Sequence, residues 1–231
     1  MKIENLIARL SAGLLVVMSV RAQGTFQNLD FEQANPIIIL GSQYYPYEVT
    51  EASALSYWTV TYGTVQQTQI TYNDPSTGST WVVLVAPGSM GVPPGSSYRL
   101  AAIDGRYSVL LQGGITAPAA SISQTGLIPI STKSLFFDAE AGSGPFAVSV
   151  GGRNIPFEAV GTGVSYTLYG ADISAWAGDT EPLTFSALEG GGLNNWLIDD
   201  ISFSTAAVPE PSSILLTGVG GLMLAFYRRY K

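Results

Sequence analysis

The sequence predicts an all-β chain, a two-sheet antiparallel sandwich flanked by a separate apolar segment at each end. Three observations carry this. Short runs rich in Val, Ile, Thr, Tyr, Phe and Trp recur between residues 27 and 204. Gly- and Pro-bearing breakers separate them at spacings of about 8–12 residues, the rhythm of sandwiches and barrels. Helical periodicity is nearly absent, and only 171–176 reads as a single turn.

The first element is an export signal over 1–22. Lys2 and Arg9 precede an apolar stretch over 10–20, and Val20 and Ala22 put small residues at the −3 and −1 positions before Gln23. Charge, apolar run and small-residue site in that order form the secretory layout. The run of 11 residues is shorter than the roughly 20 a spanning helix needs. A buried N-terminal helix is the alternative.

The domain follows over 23–206. Strands are predicted at 27–31, 57–62, 67–72, 80–85, 107–111, 134–138, 146–150, 165–169, 183–188 and 196–204. Asn73-Asp74-Pro75, Pro93-Pro94-Gly95, Gly113-Gly114, Gly151-Gly152 and Gly190-Gly191-Gly192 are among the breakers between them. In Phe146-Ala147-Val148-Ser149-Val150, and again in Leu183-Thr184-Phe185-Ser186-Ala187, alternate residues are apolar. One apolar and one small polar face is what a strand in a two-sheet sandwich needs. Trp58 and Trp196 fall inside strand patterns and belong to the core. The Pro/Gly/Ser stretch over 86–97 is a loop rather than a domain boundary, because neither flank is long enough to fold alone.

The last element is a tail over 207–231. Pro209-Glu210-Pro211 is stiff and lacks two backbone donors. An uncharged run of 15 residues follows, Ser212 to Phe226, then Tyr227-Arg228-Arg229-Tyr230-Lys231. A helix of that length covers about 22 Å, and flanking tyrosines and arginines extend it toward the ~30 Å hydrocarbon core. A transmembrane segment is therefore expected at 212–227, with the basic end cytoplasmic.

Val208-Pro209-Glu210-Pro211-Ser212, the glycine-bearing apolar run and Arg228-Arg229 together resemble the PEP-CTERM sorting signal of exopolysaccharide-producing Gram-negative bacteria. The resemblance covers about a tenth of the chain. It implies an exosortase-like processing enzyme as partner, an inner-membrane intermediate, and delivery to the cell surface or extracellular matrix. Pro209, Glu210, Pro211, Arg228 and Arg229 would then be recognised residues, not catalytic ones. A plain anchor behind a proline-rich stalk is the alternative. Ser121-Ile122-Ser123-Gln124-Thr125-Gly126, with Leu127-Ile128-Pro129-Ile130 after it, resembles a recurring segment of uncharacterised PEP-CTERM proteins.

Composition narrows the chemistry of the domain. Four basic side chains stand against fifteen acidic ones over 23–206, so nucleic acid is not an expected partner. Without cysteine or histidine, thiol chemistry, Ser-His-Asp catalysis and the usual zinc sites are out. Carboxylate pairs suited to a glycosidase can be drawn from so many acids, but no local motif singles one out. The chain is read as non-catalytic.

Asn28-Leu29-Asp30-Phe31-Glu32 near the start, and Trp196-Leu197-Ile198-Asp199-Asp200-Ile201-Ser202-Phe203 near the end, resemble the bracketing segments of jelly-roll carbohydrate-binding and galactose-binding-like modules. The resemblance implies that the first and last strands lie side by side, bringing Glu32 close to Asp199. It also implies a structural Ca²⁺ held by these two carboxylates, although a cap at Asp199-Asp200 with a solvated Glu32 explains the same residues. Tyr44, Tyr45 and Tyr47 around Pro46 form a candidate sugar-stacking platform, or else part of the core rim. The expected function is that of an exported surface or matrix protein associated with exopolysaccharide. The alternative is a lectin-like, calcium-bearing glycan binder; a concave sheet face carrying two or more exposed aromatics would favour it, and a face covered by Ser, Thr and Gly would favour the structural surface or matrix protein.

Overall fold

The computed structural model of the protein describes residues 25–39, 48–73, 80–87, 101–115, 118–142, 144–190 and 194–208. The predicted signal over 1–22 and the segment over 212–227 lie outside these residues. So do Tyr44, Tyr45, Tyr47, Pro209, Glu210, Pro211, Arg228 and Arg229. No helix among the described residues is long and apolar enough to cross a membrane.

In chain order the strands are β1 (Ile38–Ile39), β2 (Glu48–Thr50), β3 (Thr59–Tyr62), β4 (Val65–Gln66), β5 (Gln69–Tyr72), β6 (Trp81–Val85), β7 (Ser108–Gly113) and β8 (Ala120–Leu127). They continue with β9 (Ser134–Ala141), β10 (Phe146–Val150), β11 (Arg153–Ile155), β12 (Glu158–Thr162), β13 (Thr167–Asp172), β14 (Thr180–Ala187) and β15 (Asn194–Ser204). A short helix, α1 (Glu51–Ala54), follows β2, and a 3-10 turn (Ser174–Trp176) falls where the single helical turn was expected.

Two sheets result. One runs β1-β2-β5-β6-β7-β15-β9-β13-β12 and the other β11-β10-β14-β8-β3-β4. The all-β sandwich is thus as expected, with one departure: β5 and β6 pair in parallel through Thr71–Val83 and Tyr72–Leu84. Nine of the ten expected strands are present. The exception is 27–31, which folds as turns. Asn28 and Phe31 take positive φ, 52° and 57°. Asn28 Oδ1 accepts from Gln33 N at 2.9 Å, and Asp30 Oδ1 accepts from Glu32 N at 3.3 Å. Short polar side chains bond their own backbone here and outcompete a ladder.

The core lies between the sheets. From the larger sheet come Val82, Leu84, Val109, Leu111, Leu135, Phe137, Trp196 and Ile198, and from the smaller Val60, Ile122, Val148, Val150, Leu183 and Phe185. Each fully buried side chain of this size contributes about 1.5–3 kcal/mol. Phe137 is the hub of the aromatic part, with Phe185, Tyr169 and Phe157 centred 5.3, 5.4 and 5.6 Å away. Trp58 and Trp196 are buried, as expected, and Trp58 Nε1 donates to Asn28 O at 2.9 Å.

Strand β15 explains its own sequence. Trp196 and Ile198 face the core, and so do Ile201 and Phe203, so the alternation slips by one residue at Asp199-Asp200. A β-bulge absorbs the slip, with Asp200 at φ 49°. Asp199 already faces away from the core by alternation, and the bulge keeps Asp200 from turning into it.

Candidate functional site

Glu32 and Asp199 meet the same turn, 104–108. Glu32 Oε1 accepts from the backbone N–H groups of Arg106 at 2.6 Å and Tyr107 at 2.9 Å. Asp199 Oδ2 accepts from Ser108 Oγ at 2.6 Å and from Asp104 N at 3.3 Å, while its Oδ1 accepts from Asp200 N at 2.8 Å. Gly105 makes the close approach possible. It sits at φ +56°, and a Cβ there would lie 2.4 Å from Glu32 Oε1.

This corrects two expectations. The N-terminal segment does touch the last strand, through Ile201 N to Leu29 O at 3.0 Å, but no strand pairs there, and the neighbours of β15 are β7 and β9. The calcium expectation also fails on the donor set. Ca²⁺ takes oxygen ligands, whereas the turn between Glu32 and Asp199 offers both carboxylates N–H and O–H donors. Among the described residues no group of three or more His, Cys, Asp or Glu is placed to hold a metal ion. The two carboxylates clamp a turn and do not fit a shared Ca²⁺. Removing one side of the clamp tests this. Glu32→Ala is expected to cost about 1.5–3 kcal/mol, the range for hydrogen bonds to a charged acceptor, in a denaturant titration whose midpoint is the same with Ca²⁺ or with chelator.

Burial raises the Asp199 carboxyl to about 7, against the hydrogen bonds from Ser108, Asp200 and Asp104 that lower it. A raised acid can mark a catalytic site. Here the carboxyl is 1% exposed and closed in by its own chain, which leaves no room for a scissile bond.

The outward face of the larger sheet carries more. Strand β6 is apolar without a break, Trp81-Val82-Val83-Leu84-Val85, so both of its faces are covered. Val83, Val85, Leu110 and Leu197 form a second buried apolar cluster there, with Trp81 and Ile103 packed against it. Trp81, Gln112 and Asn195 lie in register across β6, β7 and β15 at one end. At the other end Asp138 is the register partner of Asp199. The half-buried Tyr166 hydrogen-bonds Asp138, and this carboxylate, followed by burial and by Asp200 and Asp104, pushes the phenol upward. The apolar cluster itself is buried, while two partly exposed rings stand on this side of the sheet, Trp81 in the row of the amides and Tyr166 beside the carboxylates.

The outward face of the smaller sheet differs. One register row reads Ser149, Thr184, Ser123 and Thr59, all small hydroxyl side chains. The sequence placed Trp81 and Tyr166 inside expected strands without a role for either, and it singled out neither Gln112 nor Asn195. The unbroken apolar run of β6 was the available signal.

No family model matches the chain, and no curated protein matches it. Solved structures resemble it at a distance. A cyclase from Fischerella sp. TAU is 14% identical over 82% of this chain and 99% of its own, with a TM-score of 0.46. TmCBM61, solved with beta-1,4-galactotriose, is 14% identical over 79% of this chain and 98% of its own, with a TM-score of 0.40. The enzymatically active domain of tailspike protein 4 from bacteriophage CBA120 is 14% identical with a TM-score of 0.42. The match covers 79% of this chain and 21% of the tailspike chain, about a fifth of its length. At such TM-scores the likeness carries no weight on function, and the sandwich rests on this chain's own strand pairing.

Proposed function

We propose that this chain is an exported, non-catalytic glycan-binding module, placed at the cell surface or in the extracellular matrix among exopolysaccharide. The outward face of the nine-stranded sheet is its binding face. The observation that carries the reading is a pair of partly exposed rings beside this face: Trp81, in one register row with Asn195, and Tyr166, bonded to Asp138. Aromatic rings take the C–H faces of a sugar, and neighbouring amides and carboxylates take its hydroxyls. The Ser/Thr face of the smaller sheet lacks rings in its central row, so it does not compete for this role. The absence of histidine and the enclosure of Asp199 support a role without catalysis.

Residues 23–208 contain every described strand and the whole shared core. A glycan array probed with this span is expected to show a set of bound glycans, unchanged by chelator. Trp81→Ala should weaken that binding about tenfold or more, since loss of a stacked ring costs roughly 1–3 kcal/mol by analogy with other ring platforms. Silence across the array would remove the glycan reading.

Delivery is part of the proposal. The signal over 1–22 exports the chain, and an exosortase-like enzyme recognises Pro209-Glu210-Pro211 with the basic end at Arg228-Arg229. What supports this is the order of motif, apolar run and cations over 207–231. In cells lacking the exosortase the protein is expected at higher mass and held in the inner membrane. Equal mass and location in both strains would reduce the tail to an anchor.

A further inference from the structure

The turn held by Glu32 and Asp199 begins at Ile103, which packs against the outward cluster of Val83, Val85, Leu110 and Leu197. Four backbone N–H groups of this turn donate to side chains. Ile103 N donates to Ser108 Oγ at 2.8 Å, and Ser108 Oγ donates in turn to Asp199 Oδ2 at 2.6 Å. Asp104 N donates to the same Oδ2 at 3.3 Å. Arg106 N and Tyr107 N share Glu32 Oε1. Residues 103–107 belong to no strand, and Asp104, Gly105 and Arg106 are exposed. A segment with an exposed crest and side-chain anchors opens more easily than the ladders beneath it.

We propose that residues 103–107 form a strap that opens locally, lifting Ile103 off this cluster, and that the proton on Asp199 decides how often it opens. The strap goes beyond the glycan reading and stands whether or not a sugar binds. Asp199 is bonded by neutral groups, the Ser108 hydroxyl and the N–H groups of Asp104 and Asp200. The charged neighbours are mostly of its own sign. Asp138 of β9 is its register partner, Asp200 follows it in the bulge, and Asp104 belongs to the strap. Tyr166, between β12 and β13, is pushed upward by all three. Strand β7 meets Asp199 with the uncharged Ser108. Glu32 holds the far side of the strap, and the Arg106 guanidinium sits over the Tyr107 ring at 5.3 Å. Burial outweighs the bonds that favour the carboxylate, so the enclosed group keeps its proton and the ionised group prefers water. Lifting the strap admits that water. Opening therefore becomes more frequent as pH rises toward 7 and levels off above it.

Hydrogen exchange of the full chain, followed by mass spectrometry and corrected for the intrinsic pH dependence of amide exchange, reads the strap directly. The amides of Ile103, Asp104, Arg106 and Tyr107 are expected to exchange faster than those of β14. Between pH 6 and pH 8 their protection should fall about tenfold. In Asp199→Asn it should stay level over the same range. Ser108→Ala, which cuts the relay and leaves Asp199 in place, should speed the Ile103 amide at both pH values. Strap amides that exchange only as slowly as β14 would mean no local opening and overturn the proposal. Parent protection that is equal at pH 6 and pH 8, a tenfold fall that persists in Asp199→Asn, or an Ile103 amide unchanged in Ser108→Ala would each overturn it too.

Discussion

Phe137→Ala is expected to cost about 3–5 kcal/mol, the range for removing a buried aromatic ring. The ring is fully buried and touches rings from both sheets: Tyr169 on β13 stacks on it at an interplanar angle of 18°, while Phe185 on β14 meets it edge-on at 75°. Phe146 and Phe157 close the remaining sides at 6.3 and 5.6 Å. No single neighbour can move to fill the space without losing its own contacts. For a domain of this size each kcal/mol moves the melting temperature by roughly 2–4 °C, so a fall of about 6–20 °C should appear in a thermal melt. Phe137→Leu keeps part of the volume and should lose less. An alanine variant melting within a degree or two of the parent would contradict the packing described for the aromatic hub.

Acidification should stabilise the protein. Asp199 titrates near 7 in the folded chain, raised mainly by burial from an ordinary 3.8. Between about pH 4 and pH 7 the folded chain holds a proton that the unfolded chain has lost. Stability therefore falls as pH rises through this window and levels off above it. From pH 6 to pH 8 this one group removes about 1.4 kcal/mol, or roughly 3–6 °C of melting temperature. Glu51 is raised as well, chiefly by burial, and adds a loss of the same sign. Asp172 is lowered by its bonds to Ser174, so its contribution is present above its unfolded value and lost only in stronger acid. Asp199→Asn isolates the effect, because an amide can still accept from Asp200 N and face Ser108. The variant should show a smaller change between pH 6 and pH 8, and an undiminished change would move the titration to another group.

The strands were legible where one face is apolar and the other polar. Strand β10 matched its alternation to the residue, and β14 nearly so. Strand β8 was missed because Ala120-Ser121-Ile122-Ser123-Gln124-Thr125-Gly126-Leu127 is mostly small and polar. Its inward residues are Ala120 and Ile122, with Gln124 spent on bonds to Gln27. The turns at 27–31 misled for the reverse reason: Leu29 and Phe31 are buried, yet the backbone between them is bent by asparagine and aspartate. The bracketing of Glu32 and Asp199 was right about neighbourhood and wrong about chemistry, because the donors of turn 104–108 come from a distant stretch with no motif. Gln112 could not have been found at all. A glutamine inside a strand looks solvated until its neighbours are known.

The last strand to leave the ribosome sits in the middle of the larger sheet. Strand β15 joins β7 to β9, and both wait with raw edges until residue 204 is available. A nascent polypeptide of this design has no way to close early. On the export route proposed above, such a chain would stay threadable through a narrow translocation channel until its last described strand is available, and would lock only on the far side.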